Sequence, residues 1–427
     1  MLVKTDGIAN KMTRRYLIIG VVIIVILGLV AIWWFFLRGT TTPPAPAGST
    51  GILPQTGGAQ TGTGTSGNLP SGGNPVAGIP NAATKFGVVS DEPVLAYFVD
   101  AGNNVIIVEP DGKIARVTNG QTTFLSSSQI ANLMAASFSY DGAKALVSFG
   151  DRDNPQTSIF DLATKAWAPL TMGIISPVWS PSDYRIAYLA SNTDGTKTLA
   201  TLNAAKTTAK PSTLLSLNAQ DLSLVWPSKN NIVLSEKPSA LTNGSALLFN
   251  LQNQTLTPIT LEVSGFEALW NGNATSAAAT PFGLVFSANT PRPGGRLRLI
   301  NPSGNTVQSV NFLTLPSKCL FHRESPVLPP GASSTTSTVP VAPYLALYCA
   351  VPEDQDELSS ARLPDDYEQM ALFTADAFYG IHTDTGAMDS VFSPPQNMDA
   401  ADLGIFNHIL FFINRYDQKL YAISLTQ

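Results

Sequence analysis

The sequence predicts an all-β protein, a β-propeller of about seven four-stranded blades that follows one transmembrane helix and a disordered linker. Three observations support this prediction. An aromatic residue followed by a tight turn and an apolar strand recurs at intervals of 41, 47, 44 and 51 residues. The 33 glycines and 31 prolines favour many turns and little helix. One uncharged apolar run of 22 residues lies near the N-terminus.

The apolar run covers residues 16–37 and is long enough to cross a hydrocarbon layer of about 30 Å as a helix. Four basic residues precede it, namely Lys4, Lys11, Arg14 and Arg15. After it, Arg38 is the only cation before Lys85. By the positive-inside rule, residues 1–15 are cytoplasmic and the rest of the chain is outside. A cleavable signal peptide is the alternative, but its apolar core is usually shorter, about 7–15 residues.

A flexible linker is expected at residues 38–85. Gly, Thr, Pro, Ser, Ala and Asn dominate it, and positions 39–84 contain no charged residue. Such a composition buries too little apolar surface to fold. The LPQTG stretch at 53–57 resembles a sortase sorting signal. Because that signal belongs near a C-terminus, we favour coincidence.

The repeated unit is clearest at 176–190, SPVWSPSDYRIAYLA. Pro181 presets the turn, Asp183 bonds its own backbone, and a second strand follows. The equivalent aromatic residues are expected to pack the blades; they are Phe138, Trp179, Trp226, Trp270 and Phe321. Five complete units and an incomplete one at each end predict about seven blades over residues 86–427, with six or eight as alternatives. A strand at 86–90 would complete the last blade and close the ring, which removes open edges.

The unit PVWSPSDYRIAYLA resembles the repeat of TolB-like, WD-type bacterial β-propellers, and SFSYDGAKALVSF at 137–149 is similar to the same repeat. The resemblance covers roughly residues 90–425. It implies a propeller in a bacterial cell envelope, and members of this family mostly bind proteins or peptides.

Two cysteines fall on the first two strands of the sixth repeat. Cys319 and Cys349 would lie opposite each other on neighbouring strands, so an exterior compartment predicts a disulfide between them. Two buried free thiols are the alternative. A loop at 325–343 separates the two strands.

An acidic insertion at 352–370 follows the second of these strands and has no counterpart in the other units. It supplies the candidate binding loop, which consists of Glu353, Asp354, Asp356, Glu357, Asp365, Asp366 and Tyr367. Its carboxylates suit Ca²⁺, but their spacing does not match an EF-hand, and we favour a solvated loop. We therefore expect no metal site and no cofactor.

No catalytic motif occurs, and the sequence contains neither GxSxG nor HExxH. After Arg38 the chain has 20 basic and 29 acidic residues, which argues against nucleic acid as a partner. We predict that the chain is not an enzyme but a membrane-anchored extracytoplasmic binding or scaffold module for protein, peptide or glycan. The alternatives are a cell-surface hydrolase or lyase, which needs carboxylates that converge in the propeller channel, and a structural subunit of an envelope complex.

Overall fold

The computed structural model describes residues 76–425, except 82, 153, 172, 206–209, 219–220, 238, 273–280, 290–291 and 325–342. These residues form seven sheets, six with four strands and one with five. The predicted all-β propeller of seven blades is therefore confirmed. The predicted transmembrane helix at 16–37 lies outside the described residues. In the described part of the chain, we find no helix with the length and apolar character needed to cross a bilayer.

Blades 1 to 4 each consist of four consecutive antiparallel strands. Blade 1 contains β3 (Ala96–Val99), β4 (Val105–Val108), β5 (Ile114–Thr118) and β6 (Gln121–Ser126). Blade 2 contains β7 (Leu133–Phe138), β8 (Lys144–Gly150), β9 (Pro155–Asp161) and β10 (Ala166–Pro169). Blade 3 contains β11 (Ile174–Trp179), β12 (Arg185–Ser191), β13 (Lys197–Asn203) and β14 (Ser212–Leu217). Blade 4 contains β15 (Leu222–Ser228), β16 (Asn231–Glu236), β17 (Asn243–Asn250) and β18 (Thr255–Ser264).

Blades 5 to 7 continue the pattern, and the last one recruits strands from the start of the domain. Blade 5 contains β19 (Glu267–Trp270), β20 (Gly283–Ala288), β21 (Gly295–Ile300) and β22 (Thr306–Val310). Blade 6 contains β23 (Cys319–Glu324), β24 (Tyr344–Pro352), β25 (Asp376–His382) and β26 (Met388–Phe392). Blade 7 contains β27 (Ala400–Phe406), β28 (Ile409–Asn414), β29 (Leu420–Ser424), β2 (Phe86–Val88) and β1 (Val76–Ala77).

The central strands of the blades form the core. Four consecutive residues are buried in β12 and in β16, and five in β28. Both faces of such a strand are covered by neighbouring blades, which explains why its sequence is a short continuous apolar run rather than an alternating one. The outer strands β10 and β26 are mostly exposed.

The predicted turn chemistry is present in blade 3. The Ser180 hydroxyl accepts a hydrogen bond from the amide of Ser182, and the Asp183 carboxylate accepts one from the amide of Arg185. The preceding aromatic, Trp179, is buried on the innermost strand, as are Trp226 and Trp270 in the next two blades. Phe138 and Phe321 occupy the equivalent strands and are partly buried.

Ring closure follows the predicted route. Phe86 pairs with Ile423 and Val88 with Tyr421, so β2 is the fourth strand of blade 7. The linker was expected to extend to residue 85, but β1 at residues 76–77 already pairs with β2 in parallel. This pairing covers the outer edge of β2, which would otherwise expose unpaired backbone groups.

The predicted disulfide is present in blade 6. Cys319 and Cys349 are direct partners in the β23–β24 register, with their Cα atoms 4.1 Å apart and an S–S bond of 2.05 Å. The bond closes a segment that includes positions 325–342, which lie outside the described residues. It therefore fixes the first two strands of the most modified blade.

Reduction of this disulfide is expected to destabilise the protein. Opening a loop of this length releases chain entropy in the unfolded state that amounts to about 3–4 kcal/mol in the entropic view. Thermal unfolding followed by circular dichroism, with and without dithiothreitol, measures the change. A Cys319→Ala/Cys349→Ala variant is the control and should not respond to the reductant. An unchanged melting temperature in the wild type under full reduction would contradict the prediction.

The acidic insertion of blade 6 is folded. It contains two short helices, α1 (Gln355–Ser360) and α2 (Asp365–Glu368), between β24 and β25. Asp354 caps α1 by accepting hydrogen bonds from the amides of Asp356 and Glu357. We expected a solvated loop here, and the capping signal at Asp354 is what the sequence interpretation missed.

Candidate active site

The first strands of consecutive blades contact one another and form the wall of the central channel. Strands in a blade alternate in direction, so the connections between blades and those between second and third strands share one face of the propeller. We call this the entry face. The insertion of blade 6 lies on it, as do the beginnings of β19 and β27.

Lys318 attaches the insertion to the propeller. It ends a one-turn 3-10 helix, η1 (Pro316–Lys318), and its side chain is only 1% exposed. Its ammonium lies 2.7 Å from an Asp376 carboxylate oxygen and 2.5 Å from one of Asp399. Burial opposes the positive charge, but these carboxylates outweigh it and hold the pKa of Lys318 above its usual value.

Arg415 completes this ionic cluster. Its guanidinium lies 2.8 Å from the second carboxylate oxygen of Asp399 and donates to the Tyr367 carbonyl at 2.7 Å. It also stacks 3.7 Å above the Tyr367 ring. Two cations and two carboxylates therefore balance each other in the cluster, and they fix α2 over the boundary between blades 6 and 7.

Most side chains of the candidate binding loop serve the fold of the insertion. Asp365 accepts from the Ala240 amide of blade 4, and Asp366 accepts from the Arg362 amide. Glu353 accepts from the Ser393 hydroxyl, while Tyr367 is buried in the ionic cluster. The remaining three begin the first helix and are Asp354, Asp356 and Glu357. A ligand-binding role for this loop stays a prediction.

Asp402 is the acid of the channel wall. It lines a cavity of about 350 Å³ formed by the innermost strands of blades 7, 1 and 2. It occupies a β-bulge between Ala401 and Gly404, and its φ of 51° is unusual for a residue other than glycine. The side chain is exposed, yet burial by the surrounding protein raises its pKa. Both properties fit a carboxyl in a narrow space open to water.

Tyr97 holds the bulge in place. Its hydroxyl donates to the Asp402 carbonyl at 2.7 Å. A Cβ atom at position 404 would lie 2.8 Å from this hydroxyl, so only glycine allows the approach. The conformation of Asp402 is therefore determined by a contact between blades 1 and 7. Bulges and strained residues of this kind are frequent next to active sites.

Glu267 is the second acid near the channel and begins β19 in blade 5. One carboxyl oxygen accepts from the Ser317 amide at 2.8 Å. The other, Oε2, is shielded from solvent and has no hydrogen-bond partner among the described residues. Burial raises the pKa of Glu267 to about 7, and the charge of Glu368 adds to the rise.

Glu368 connects these two acids. It is exposed at the end of α2, on the insertion that the ionic cluster holds against the propeller. Its charge raises the pKa of both Glu267 and Asp402. Glu368 on the insertion therefore lies within electrostatic reach of Glu267 in blade 5 and of Asp402 in blade 7. In the described part of the chain, no three Asp, Glu, His or Cys side chains are grouped closely enough to hold a metal ion.

The sequence interpretation missed Glu267, Asp402 and Tyr97. None of them belongs to a recognisable motif, and Glu267 and Asp402 are separated by more than a hundred residues. Glu368 was visible within the acidic insertion, although we did not choose it as a binding residue. Convergence of acids in the channel was the stated requirement of the enzyme alternative, and of these acids Asp402 lines the cavity of the channel wall.

The pKa of Glu267 has a consequence for stability. The folded chain binds the Glu267 proton up to about pH 7, whereas an ordinary glutamate releases it near 4.5. Stability should therefore fall as pH rises between these values, because the folded state binds more protons there. Glu267→Gln keeps an acceptor for the Ser317 amide. We expect it to be about 2–3 kcal/mol more stable than wild type at pH 8 and nearly equal at pH 4.

Urea denaturation at pH 4, 6 and 8 measures this difference. The matched control is Glu262→Gln, which changes an exposed glutamate on the neighbouring blade. It should leave the pH dependence of unfolding unchanged. The prediction is contradicted when Glu267→Gln and wild type lose stability equally between pH 4 and pH 8.

Comparison with known proteins gives the fold and no family. Neither a protein-family model nor a curated protein matches this sequence. The chain is similar to oligogalacturonate lyase from Vibrio parahaemolyticus, with 8% identity, a TM-score of 0.50, and coverage of 79% of this chain and 90% of the lyase. The chain is also similar to virginiamycin B lyase from Staphylococcus aureus, with 10% identity, a TM-score of 0.48, and coverage of 80% of this chain and 99% of the lyase. The similarity to the tricorn protease has 11% identity and a TM-score of 0.44, and this chain spans 34% of the length of that protease.

Identities of this size show a shared propeller fold alone. The relation to TolB-like propellers, drawn from the turn motif, stays a prediction. The expectation that the chain is not an enzyme is corrected. It depended on the absence of a motif, but a lyase has the same fold, and the propeller therefore gives no reason to exclude catalysis. A purely non-catalytic binding module has no support from these comparisons.

Proposed function

We propose that this chain is a glycoside hydrolase that cleaves a neutral polysaccharide at the entry face of the channel. The observation that carries the proposal is the strained Asp402 carboxyl, which lines the cavity of the channel wall and lies within electrostatic reach of Glu368. Glycosidic bonds are cleaved by two carboxyl groups with different tendencies to ionise, one that donates a proton and one that acts as base or nucleophile. We assign these two roles to Asp402 and Glu368.

Asp402 is assigned as the general acid. Its pKa is raised by burial and by Glu368, so it retains a proton more readily than an ordinary aspartate. It also faces the cavity of about 350 Å³, which is large enough to receive part of a sugar chain. Tyr97 is a positioning residue, because its hydroxyl contacts the Asp402 backbone rather than the cavity.

Glu368 is assigned as the base or nucleophile. It is exposed on α2, and its negative charge adds to the rise that burial causes in the pKa of Asp402. We assign Glu267 no contact with the substrate, since one of its oxygens is bonded to Ser317 and the other is shielded. A neutral substrate is favoured because the negative charge of Glu368 repels anionic polymers.

We also propose that residues 16–37 anchor the enzyme in a bacterial envelope with the propeller outside. The support is the uncharged apolar run, the basic residues before it and the disulfide of blade 6. A surface-anchored hydrolase would act on polymers of the cell wall or of the surroundings. Product release by intact cells that express the chain would agree with this location.

The test is product formation by the full-length chain in detergent. Neutral glucan, mannan, galactan and N-acetylglucosamine polymers are incubated with the protein, and new reducing ends are counted. At least one polymer should be cleaved by the wild type and not by Glu368→Gln, while Glu357→Gln on α1 remains active. Cleavage of polygalacturonate to an unsaturated product would instead indicate a lyase. Absence of reducing ends from every neutral polymer would overturn the proposal.

A further inference from the structure

A second cavity lies on the opposite face of the propeller, where blades 7 and 1 meet. Its volume is about 750 Å³, within the range of small-molecule sites. It is formed by the first-to-second strand turns of blades 1 and 7, the third-to-fourth strand turn of blade 1, and residues 77–81. Strand direction places these turns away from the insertion and its acids.

The lining of this cavity is polar and uncharged. It contains five asparagines, which are Asn81, Asn103, Asn104, Asn119 and Asn407. None of the lining residues is Asp, Glu, Lys or Arg, and one of them is a histidine, His408. Ile79, Pro80 and Ile409 supply apolar surface. An ion would find no opposite charge here, whereas amide groups can both donate and accept hydrogen bonds.

The amides are held in fixed positions. Asn407 donates to Asn103 at 2.7 Å and so connects blades 7 and 1. Asn104 donates to Asp100 at 2.9 Å and accepts from Thr118 at 3.0 Å. A rigid set of donors and acceptors loses little conformational freedom when a ligand binds.

Turn chemistry explains the backbone of these asparagines but not their grouping. Asn103, Asn119 and Asn407 have φ angles of 60°, 51° and 48°, which asparagine tolerates in tight turns. Glycine would satisfy the same angles. Three turns from two blades that all present an exposed amide to one cavity are more than each turn needs.

We propose that this cavity binds a neutral sugar unit and is an accessory glycan site on the face opposite the catalytic mouth. Hydroxyl groups of a sugar match amides that donate and accept, and the apolar face of a sugar ring suits Ile79 and Pro80. The proposal does not require the channel to be catalytic, so the two are tested separately.

The test uses the full-length chain in detergent and isothermal titration calorimetry. The probes are maltotetraose, cellotetraose and the N-acetylglucosamine tetramer, with a tetragalacturonate as the charged counterpart. The key variant is Asn103→Gly/Asn119→Gly/Asn407→Gly, which removes three amides and keeps the positive φ angles. The matched control is Asn132→Gly, because Asn132 has a φ of 54° but does not line the cavity.

We expect at least one neutral tetramer to bind the wild type with a Kd of about 1 mM or lower. The triple variant should bind roughly tenfold more weakly or worse, and the control should match the wild type. Two results overturn the proposal: no neutral tetramer binds, or the triple variant binds as well as the control. Preferential binding of tetragalacturonate also overturns it. Loss of binding in Glu368→Gln alone would place the sugar in the channel and overturn this site as well.

Discussion

Asp402→Asn is expected to lower the turnover of the cleaved polysaccharide about 10²–10⁴-fold, the range for loss of a general acid or base. Asparagine has nearly the shape of aspartate and tolerates the φ of 51° at this bulge. The hydrogen bond from Tyr97 reaches the backbone carbonyl, so it is retained in the variant. What is lost is the proton that the carboxyl supplies to the leaving oxygen. Initial rates of reducing-end formation at saturating polymer measure the effect.

Asp221→Asn is the matched control for this prediction. Asp221 also has a positive φ, 52°, and lies at the start of the innermost strand of blade 4. Its side chain is 83% exposed, and its charge is not coupled to the channel acids. The control should retain full turnover, and both variants should have the melting temperature of the wild type. Equal turnover of Asp402→Asn and wild type would remove Asp402 from the mechanism.

Lys318→Met is expected to destabilise the protein by about 3–5 kcal/mol, because it leaves the buried carboxylate of Asp376 without its cation, whereas Asp399 keeps Arg415. Asp376 and Asp399 are both fully buried, and each lies within 2.7 Å of the Lys318 ammonium. Methionine fills a similar volume, so the loss reports the charge rather than a cavity. Urea denaturation followed by fluorescence gives the free energy of unfolding.

Lys419→Met provides the comparison for a surface ion pair. Lys419 lies 3.3 Å from Asp91, whose side chain is 87% exposed, and its removal should cost less than about 1 kcal/mol. In the double variant Lys318→Met/Asp376→Asn, one uncompensated charge is removed, and part of the lost stability should return. A cost for Lys318→Met no larger than that for Lys419→Met would contradict the prediction.

The ionic cluster links stability to the proposed chemistry. Lys318 and Arg415 hold Tyr367, and Glu368 is the next residue along α2. The position of the proposed base therefore depends on a cluster in blades 6 and 7. A variant that loosens the cluster should lower turnover at temperatures where the fold itself is intact.

Much of the propeller follows from local sequence. The turn at Ser180–Asp183 is formed by side chains that bond to amides two residues away, so a short stretch contains all the information for it. The closing strand near residue 86 was predictable because the last blade lacked a fourth strand. The cap at Asp354 was equally local, and the helix that it starts was missed because acidic composition suggested a solvated loop.

The candidate site was not predictable in this way. Lys318 and Asp399 are 81 residues apart, and neither lies in a motif. The conformation of Asp402 depends on Tyr97, which is 305 residues away and belongs to the first blade. Such contacts exist only after the ring has closed.

The sequence alone therefore determined the repeat and predicted about seven blades, the route of closure and the disulfide, because each depends on turns or on neighbouring strands of one sheet. Only the tertiary structure decided which carboxyl groups meet. The closed ring brings Glu267 of blade 5 and Asp402 of blade 7 within electrostatic reach of Glu368 on the insertion of blade 6. The raised pKa values of Glu267 and Asp402 come from burial and from the charge of Glu368, which act between residues that are distant along the chain.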